Sequence, residues 1–427
     1  MYQEKLMFQI LDSKNLELAI KRVKQNKGKP GIDGMTVDEV KGYFAKHQAE
    51  IRNKILTRKF KPQPVKRVEI PKPNGGKRLL GIPTVVDRVI QQAIAQVLSP
   101  IFDKEFSDFS YGFRPNKRAE MAIEQILAYM NEDYTWVVDI DLEKFFDTVN
   151  HDRLMNIISR KISDGDVISL VRKYLVSGIQ TDDGYRESVI GTPQGGNLSP
   201  LLSNIMLNEL DKELERRELK FVRYADDCLI LVKSEMSARR VMRNIEFFIE
   251  EKLGLVVNIE KSKIIRPWDS GLKYLGFGFY RDKSGKLLVK PHKESMEKFK
   301  LKMKNLTVRS RGISTRRRVT EINQTIRGWV NYFRLGNMKK FLMGIDSNTR
   351  MRLRMCIWKS WKTPRKRRKC LITLGMHPNE AYKNSYSSKS YARIASSWVL
   401  TTTIKNESLK RFGLLSASEH YQKVHVK

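Results

Sequence analysis

Apolar residues in this chain recur mostly with a helical step and, in a few short stretches, as strands. Leu16, Ala19, Ile20 and Val23 share one helical face and stop at the turn-rich Asn26-Lys27-Gly28-Lys29-Pro30-Gly31-Ile32-Asp33-Gly34. Val86, Val89, Ile90, Ala93, Ile94, Val97 and Leu98 form a second face, with Thr84 placed to cap the helix and Asp87 completing a capping-box-like pattern. A third helix follows Pro115-Asn116, with Ala119, Ala122, Ile123, Ile126, Leu127 and Met130 inward, and leads into the strand around Trp136-Val137-Val138. Another helix starts at about Asn150, and a further one holds Leu201, Leu202, Ile205, Met206 and Leu210. Phe221-Val222 and Cys228-Leu229-Ile230-Leu231-Val232 then read as two strands of a hairpin. Strands interrupted by helices and closed by antiparallel hairpins predict an α+β fold. Beyond Pro291 the pattern turns purely helical, with Met296, Phe299, Met303 and Leu306 on one face and Ile322, Ile326, Trp329, Val330 and Phe333 on another.

The hairpin places Tyr224-Ala225-Asp226-Asp227 at its tip, where side chains can reach a ligand. Adjacent carboxylates repel, so a bound cation is their natural companion. Alone, an Asp-Asp pair is an ordinary turn. A two-metal phosphoryl-transfer site needs more oxygen ligands than one tip offers, and Trp136-Val137-Val138-Asp139-Ile140-Asp141 supplies them. Asp139 and Asp141 lie two apart in a strand and share a face. Asp141, at the strand's exit, is the preferred third acid, and Asp139 reads as a carboxylate held by hydrogen bonds.

Charge narrows the partner. With 81 Lys plus Arg against 47 Asp plus Glu, the formal net charge of +34 over 427 residues asks for a polyanion, nucleic acid first. Hydrophobic residues at 41% are enough for a core, which argues against a basic disordered chain. The length suggests two or three domains. No apolar run approaches the ~20 residues that span a bilayer, so no membrane partner is expected, and the N-terminus carries no leader pattern, so a cytoplasmic setting is. Cys228, Cys356 and Cys370 are too few and too far apart for a disulfide framework or a zinc site.

Arg67-Val68-Glu69-Ile70-Pro71-Lys72-Pro73-Asn74-Gly75-Gly76-Lys77-Arg78, Tyr111-Gly112-Phe113-Arg114-Pro115, the acid strand ending at Asp141, Gly191-Thr192-Pro193-Gln194-Gly195-Gly196-Asn197-Leu198-Ser199-Pro200, Tyr224-Ala225-Asp226-Asp227 and Gly271-Leu272-Lys273-Tyr274-Leu275-Gly276-Phe277 follow one another in a fixed order. Together they resemble the group II intron-encoded reverse transcriptases, also called maturases, over about residues 15 to 335. The resemblance implies a right-hand polymerase. An N-terminal extension would occupy 1–40, fingers and palm 41–285, an all-α thumb (the maturase X domain) 286–360, and a small basic DNA-binding region 361–427, with no endonuclease domain. It implies an RNA-directed DNA polymerase whose partners are dNTPs, an RNA template with a DNA or RNA primer, group II intron RNA and target DNA, working in a bacterial cytoplasm at the nucleoid.

The resemblance also assigns roles. Asp141, Asp226 and Asp227 would be catalytic and, with the Leu142 carbonyl, would hold two Mg²⁺, with Mn²⁺ as a substitute. Lys72, Arg78, Gln194 and Lys261 would meet the triphosphate, and Phe145 would exclude a 2′-hydroxyl. Arg114 either meets template or is a structural arginine paired with an acid. Arg316, Arg317 and Arg318 on the thumb, and the run Arg365-Lys366-Arg367-Arg368-Lys369 beside Trp358 and Trp361, suit phosphate contacts and base stacking, against the plainer reading of a solvated charged face. His151 receives no catalytic role. Two rival readings are a reverse transcriptase of another genetic system (a retron, a diversity-generating element or a CRISPR-associated enzyme) and a non-catalytic RNA-binding splicing factor.

Overall fold

A computed structural model describes residues 6–71, 75–187, 190–191 and 195–425. Among them the strands are β1 (Val65–Pro71), β2 (Lys77–Ile82), β3 (Trp136–Ile140), β4 (Ile179–Thr181), β5 (Gly184–Arg186), β6 (Lys220–Tyr224), β7 (Asp227–Val232), β8 (Lys263–Ile265), β9 (Phe277–Arg281) and β10 (Leu287–Pro291). They form sheets of order β2-β1-β4-β5, β6-β7-β3-β8 and β10-β9. Lys72 and Gln194 lie outside the described residues, and Arg78 is described through its backbone alone.

The second sheet positions the acids. All its neighbours pair antiparallel, and the β3–β7 ladder ends with Asp139 opposite Leu229 and Ile140 opposite Cys228. One step further along that register, Asp141 leaves β3 where Asp227 enters β7. Val137, Val138, Phe221, Val222, Leu229, Ile230 and Leu231 are fully buried, so both faces of the sheet are covered, and a one-residue slip would exchange the side chains packed on the two faces.

The helices form where the apolar spacing predicts, and two of them, Ala119–Asn131 and Ser199–Arg216, pack against β6 of this sheet. Val85–Phe102 starts at Thr84, whose hydroxyl accepts from the Asp87 amide and donates at 2.6 Å to the Asp87 carboxylate. Ala119–Asn131, His151–Ser159 and Ser199–Arg216 follow, the second capped by the Asn150 side chain on the Arg153 amide. Ser199–Arg216 buries Leu201, Leu202, Ile205, Met206, Leu207, Leu210 and Leu214, each worth roughly 1.5–3 kcal/mol on burial. The α+β class stands.

The chain divides into two compact units after Arg266. The expected boundary at 285 falls between β9 and β10, whereas the whole hairpin belongs to the second unit. There the Phe277 ring lies 6.0 Å from Tyr332 and 4.9 Å from Phe333. The rest of this unit is helical, including Lys293–Leu306, Thr315–Tyr332, Lys339–Ser360, Pro364–Thr373, Pro378–Ser385 and Ala417–Val424. Buried Asp346 pins the last of these, its carboxylate accepting from the amides of Ala417 and Ser418 and the hydroxyls of Ser416 and Ser418. Among the described residues, no helix is long and apolar enough to cross a membrane.

Candidate active site

The acid-bearing turn is tight, and its shape is imposed from below. Tyr224 pairs with Asp227, leaving Ala225 and Asp226 as the turn, and Ala225 has φ 58°, a left-handed conformation that an alanine adopts only at a cost of ~1–2 kcal/mol. Arg223, the residue before Tyr224, is fully buried and holds that turn: its Nη1 donates to the Ala225 carbonyl at 2.9 Å and to Asn204 Oδ1 at 3.0 Å. The other edge of the guanidinium meets the buried Asp211 carboxylate, Nε to Oδ1 at 2.7 Å and Nη2 to Oδ2 at 2.5 Å, while Nη2 also donates to Ser110 Oγ. All its donors are placed. Asn204 in turn donates to the Gly112 carbonyl, and Gly112 lies so close beneath the turn that a Cβ there would stand 2.3 Å from the Ala225 nitrogen.

Asp141 is fixed from the other side. Its amide donates to Ser262 Oγ at 3.0 Å and its carbonyl accepts from the Asn258 amide at 2.8 Å, so the turn 258–262 grips the strand exit. The Lys261 ammonium, carried on the same turn, stands 3.2 Å from Asp141 Oδ1. Asp141 and Asp226 line one cavity of about 360 Å³ together with Lys77, Leu142, Phe145, Asn258 and Lys261. Phe145 contributes from a nearly buried position, its ring edge-on to Phe146 at 5.3 Å.

Electrostatics mark the cluster. Asp227 keeps accessible surface along the hairpin, but the chain crowds its carboxyl, and that withdrawal from water, with the charges of Asp226, Asp139 and Asp141, lifts its pKa to about 7. Asp139 is raised to about 6 by burial, opposed by Lys263 3.7 Å away and reinforced by Asp141. It is a held carboxylate, in agreement with its sequence reading. Among the described residues no three acidic, His or Cys side chains already stand as a metal cluster, and Asp227 does not line the cavity. The donors present are nonetheless all oxygen, mutually repelling, and one already attracts an ammonium. That set suits a hard divalent cation whose remaining ligands come from phosphates and water.

Several assigned nucleic-acid contacts are corrected. Arg114 turns inward, its side chain 6% exposed, and donates to the Asp103 carboxylate and to the carbonyls of Asp103, Ser107 and Ser110, so it is the structural arginine. Arg318 is buried and donates to the carbonyls of Leu306 and Val308, because the third of three consecutive helical residues falls on the inner face. Arg316 stays at the surface, and Arg317 pairs with Glu321. Trp358 and Trp361 are buried and offer no base a platform, and Arg367 stacks over Trp358. His151 is buried, with Nε2 2.5 Å from the Gly191 carbonyl, a structural contact. Sequence reasoning missed Arg223, Asp211 and Asn204, whose only local signal was the position of Arg223 beside the turn.

Two acids brought to one cavity at the end of an antiparallel strand pair agree with the reverse-transcriptase class. Residues 70–279 match the family reverse transcriptase (RNA-dependent DNA polymerase), and residues 296–372 match the group II intron, maturase-specific domain. The chain belongs to the group II intron-encoded reverse transcriptases. It is 32% identical over 293 residues to Protein YkfC of Escherichia coli, covering 60% of this chain and 77% of that one. The Putative COX1/OXI3 intron 2 protein of Saccharomyces cerevisiae is 30% identical over 326 residues, covering 62% and 38%. Group II intron-encoded protein LtrA of Lactococcus lactis is 32% identical over 259 residues, covering 60% and 42%. The chain thus spans less than half the length of the latter two relatives.

Proposed function

We propose that this chain extends a primer 3′-hydroxyl with deoxynucleoside triphosphates on an RNA template, and that it binds group II intron RNA, assists its splicing and copies it into DNA during intron mobility. The observation that carries the polymerase reading is the β3–β7 register, which delivers Asp141 and Asp226 to one cavity. Asp141, Asp226, Asp227 and the Leu142 carbonyl would hold two Mg²⁺, or Mn²⁺ in their place. Held by these groups, the ions would supply the charge that lowers the pKa of the primer hydroxyl and neutralises the triphosphate.

The chain's own groups do the rest. Arg223 and Gly112 hold the Ala225 turn so that Asp226 faces the cavity without reorganisation, which is how an active site avoids a cost during reaction. Lys261 and Lys77 bring positive charge to the cavity where phosphates would lie. Lys72, Arg78 and Gln194 keep the triphosphate-binding roles that the family resemblance gives them. Phe145, which lines the cavity, would exclude a 2′-hydroxyl by contact. With nucleic acid as partner and a formal charge of +34, the protein would work at the nucleoid of a bacterial cell.

Primer extension on an RNA template with Mg²⁺, run beside Asp226→Ala, tests the polymerase reading: synthesis by the native protein alone is expected, and equal synthesis by both would overturn it. For the maturase reading, the protein should lower the Mg²⁺ requirement for splicing of the intron that encloses its reading frame. No change there would remove it.

A further inference from the structure

Helices Pro364–Thr373 and Pro378–Ser385 pack against each other through Leu371, Ala381 and Ser385, all fully buried. Their outer surface is unusual for a solvated face. The first helix contains no acid, and its Arg365, Lys366, Arg368 and Lys369 are exposed with no carboxylate partner among the described residues. Four unneutralised cations on three turns repel one another, a cost that a polyanion reverses. The second helix sets two large rings beside them: Tyr382 is 52% exposed and Tyr386 62%. The rings stand 5.4 Å apart at 64°, so neither covers the other, and the Arg368 guanidinium lies 5.4 Å from the Tyr382 centroid. Arg367, by contrast, is spent inside, over Trp358 and against the Trp361 carbonyl, where it ties the basic helix to the core.

We propose that this helix pair binds unpaired nucleotides, with Tyr382 and Tyr386 stacking on bases while Arg365, Lys366, Arg368 and Lys369 meet the flanking phosphates. The inference rests on the nucleic-acid reading above and narrows it. A duplex hides its base faces within its own stack, so exposed tyrosine rings gain nothing from it beyond what the cations already gain. A single strand offers both a free π-face and a phosphate at every step. Nothing at this surface singles out a 2′-hydroxyl, so DNA and RNA strands share the chemistry that is recognised.

The full chain, its polymerase cleft first filled with a hairpin primer–template, would be given a fluorescent single strand of about 16 nucleotides bearing 5-iodouracil. Separate arms would use DNA, RNA and a blunt duplex of the same sequence. The single strands should bind more tightly than the duplex and photo-crosslink to Tyr382 or Tyr386. Tyr382→Leu with Tyr386→Leu should weaken single-strand binding about tenfold at unchanged Tm, and Tyr→Phe at both positions should restore it. Arg365→Ala, Lys366→Ala and Lys369→Ala should each flatten the plot of log affinity against log salt by about 0.7. Preference for DNA over RNA, or the reverse, identifies the strand. Equal binding of the duplex, full binding by the leucine variant, or adducts only outside residues 378–386 would overturn the proposal. Failure of the native protein to extend primers would remove the polymerase reading and leave this result standing.

Discussion

Asp211 reaches from its helix to grip Arg223 on β6 with both carboxylate oxygens, at 2.7 and 2.5 Å, and the far side of the same guanidinium holds the carbonyl of Ala225. Both partners are completely buried. Removing one member of such a pair strands the other charge and costs about 3–5 kcal/mol. Asp211→Ala should therefore unfold the first unit at markedly lower denaturant, measured by circular dichroism. Arg223→Lys keeps the charge but loses the fork to Asp211 and the bond to Ala225. In whatever fraction stays folded, primer extension should require more Mg²⁺ than in the native protein.

Gly112→Ala should abolish most primer extension while sparing the bulk of the fold. The added methyl would sit 2.3 Å from the Ala225 nitrogen, and a backbone atom cannot step aside as a side-chain end does. Gly344→Ala is the contrasting change. That glycine lies exposed within helix Lys339–Ser360 with nothing near its missing Cβ, so alanine should stabilise by about 1 kcal/mol, read from thermal unfolding.

Asp87 gives a pH signature in the first unit. Burial lifts its pKa to about 6, although it accepts from Thr84, from the Gln63 amide and from Tyr174. For an acid the folded value then exceeds the unfolded one, near 4, and the native state holds its proton more firmly. The associated stability is complete below about pH 4 and is lost as pH rises through about 6. Asp87→Asn has no such proton, so its stability relative to the native protein should climb through that window by up to about 3 kcal/mol and level off above it. Denaturant unfolding at pH 4, 5, 6 and 7 gives the curve; a constant difference would refute the assignment.

Lys261 should matter to turnover far more than to folding. Its pair with Asp141 is exposed and contributes about 0–1 kcal/mol. Lys261→Ala is expected to leave Tm unchanged while slowing single-nucleotide addition at least about tenfold, because it removes a cation from the cavity where phosphates would lie. Lys261→Arg should recover part of that loss.

Phe145→Val should shift nucleotide choice. A smaller side chain on the cavity wall frees room for a 2′-hydroxyl, so the ratio of kcat/KM for deoxy- over ribonucleotides should fall. The change also removes packing from a nearly buried position, so ratios, rather than rates, are the measurement that isolates the effect.

Much of this is legible in the sequence alone. The hairpin is announced by two apolar stretches around Asp226-Asp227, and although strand spacing puts Asp139 and Asp141 on one face, the position of Asp141 at the strand's exit marks it for the cavity and leaves Asp139 as a held carboxylate. Thr84 and Asp87 wrote their helix start locally. What could not be read was whatever depends on depth. Asp211 and Arg223 look like ordinary surface charges until the helix and strand that carry them are packed together. Arg318 continues a basic run in sequence, but each helical residue turns by about 100°, and that rotation takes it inside. Trp358 and Trp361 stand beside the basic run in sequence, yet Tyr382 and Tyr386 are the rings left outside.

The division after Arg266 has an optical consequence. Trp268, Trp329, Trp358, Trp361 and Trp398 lie beyond it, and Trp136 is the one tryptophan before it. Intrinsic emission is therefore overwhelmingly a signal from the second unit, and a melt followed at the indole wavelength would pass over the loosening of the sheet that carries Asp141 and Asp226. Trp136, with the Arg266 guanidinium 4.0 Å from its ring, is the native reporter for that sheet. Replacing the other five by Phe would turn the protein's own fluorescence into a gauge of its acid-bearing half.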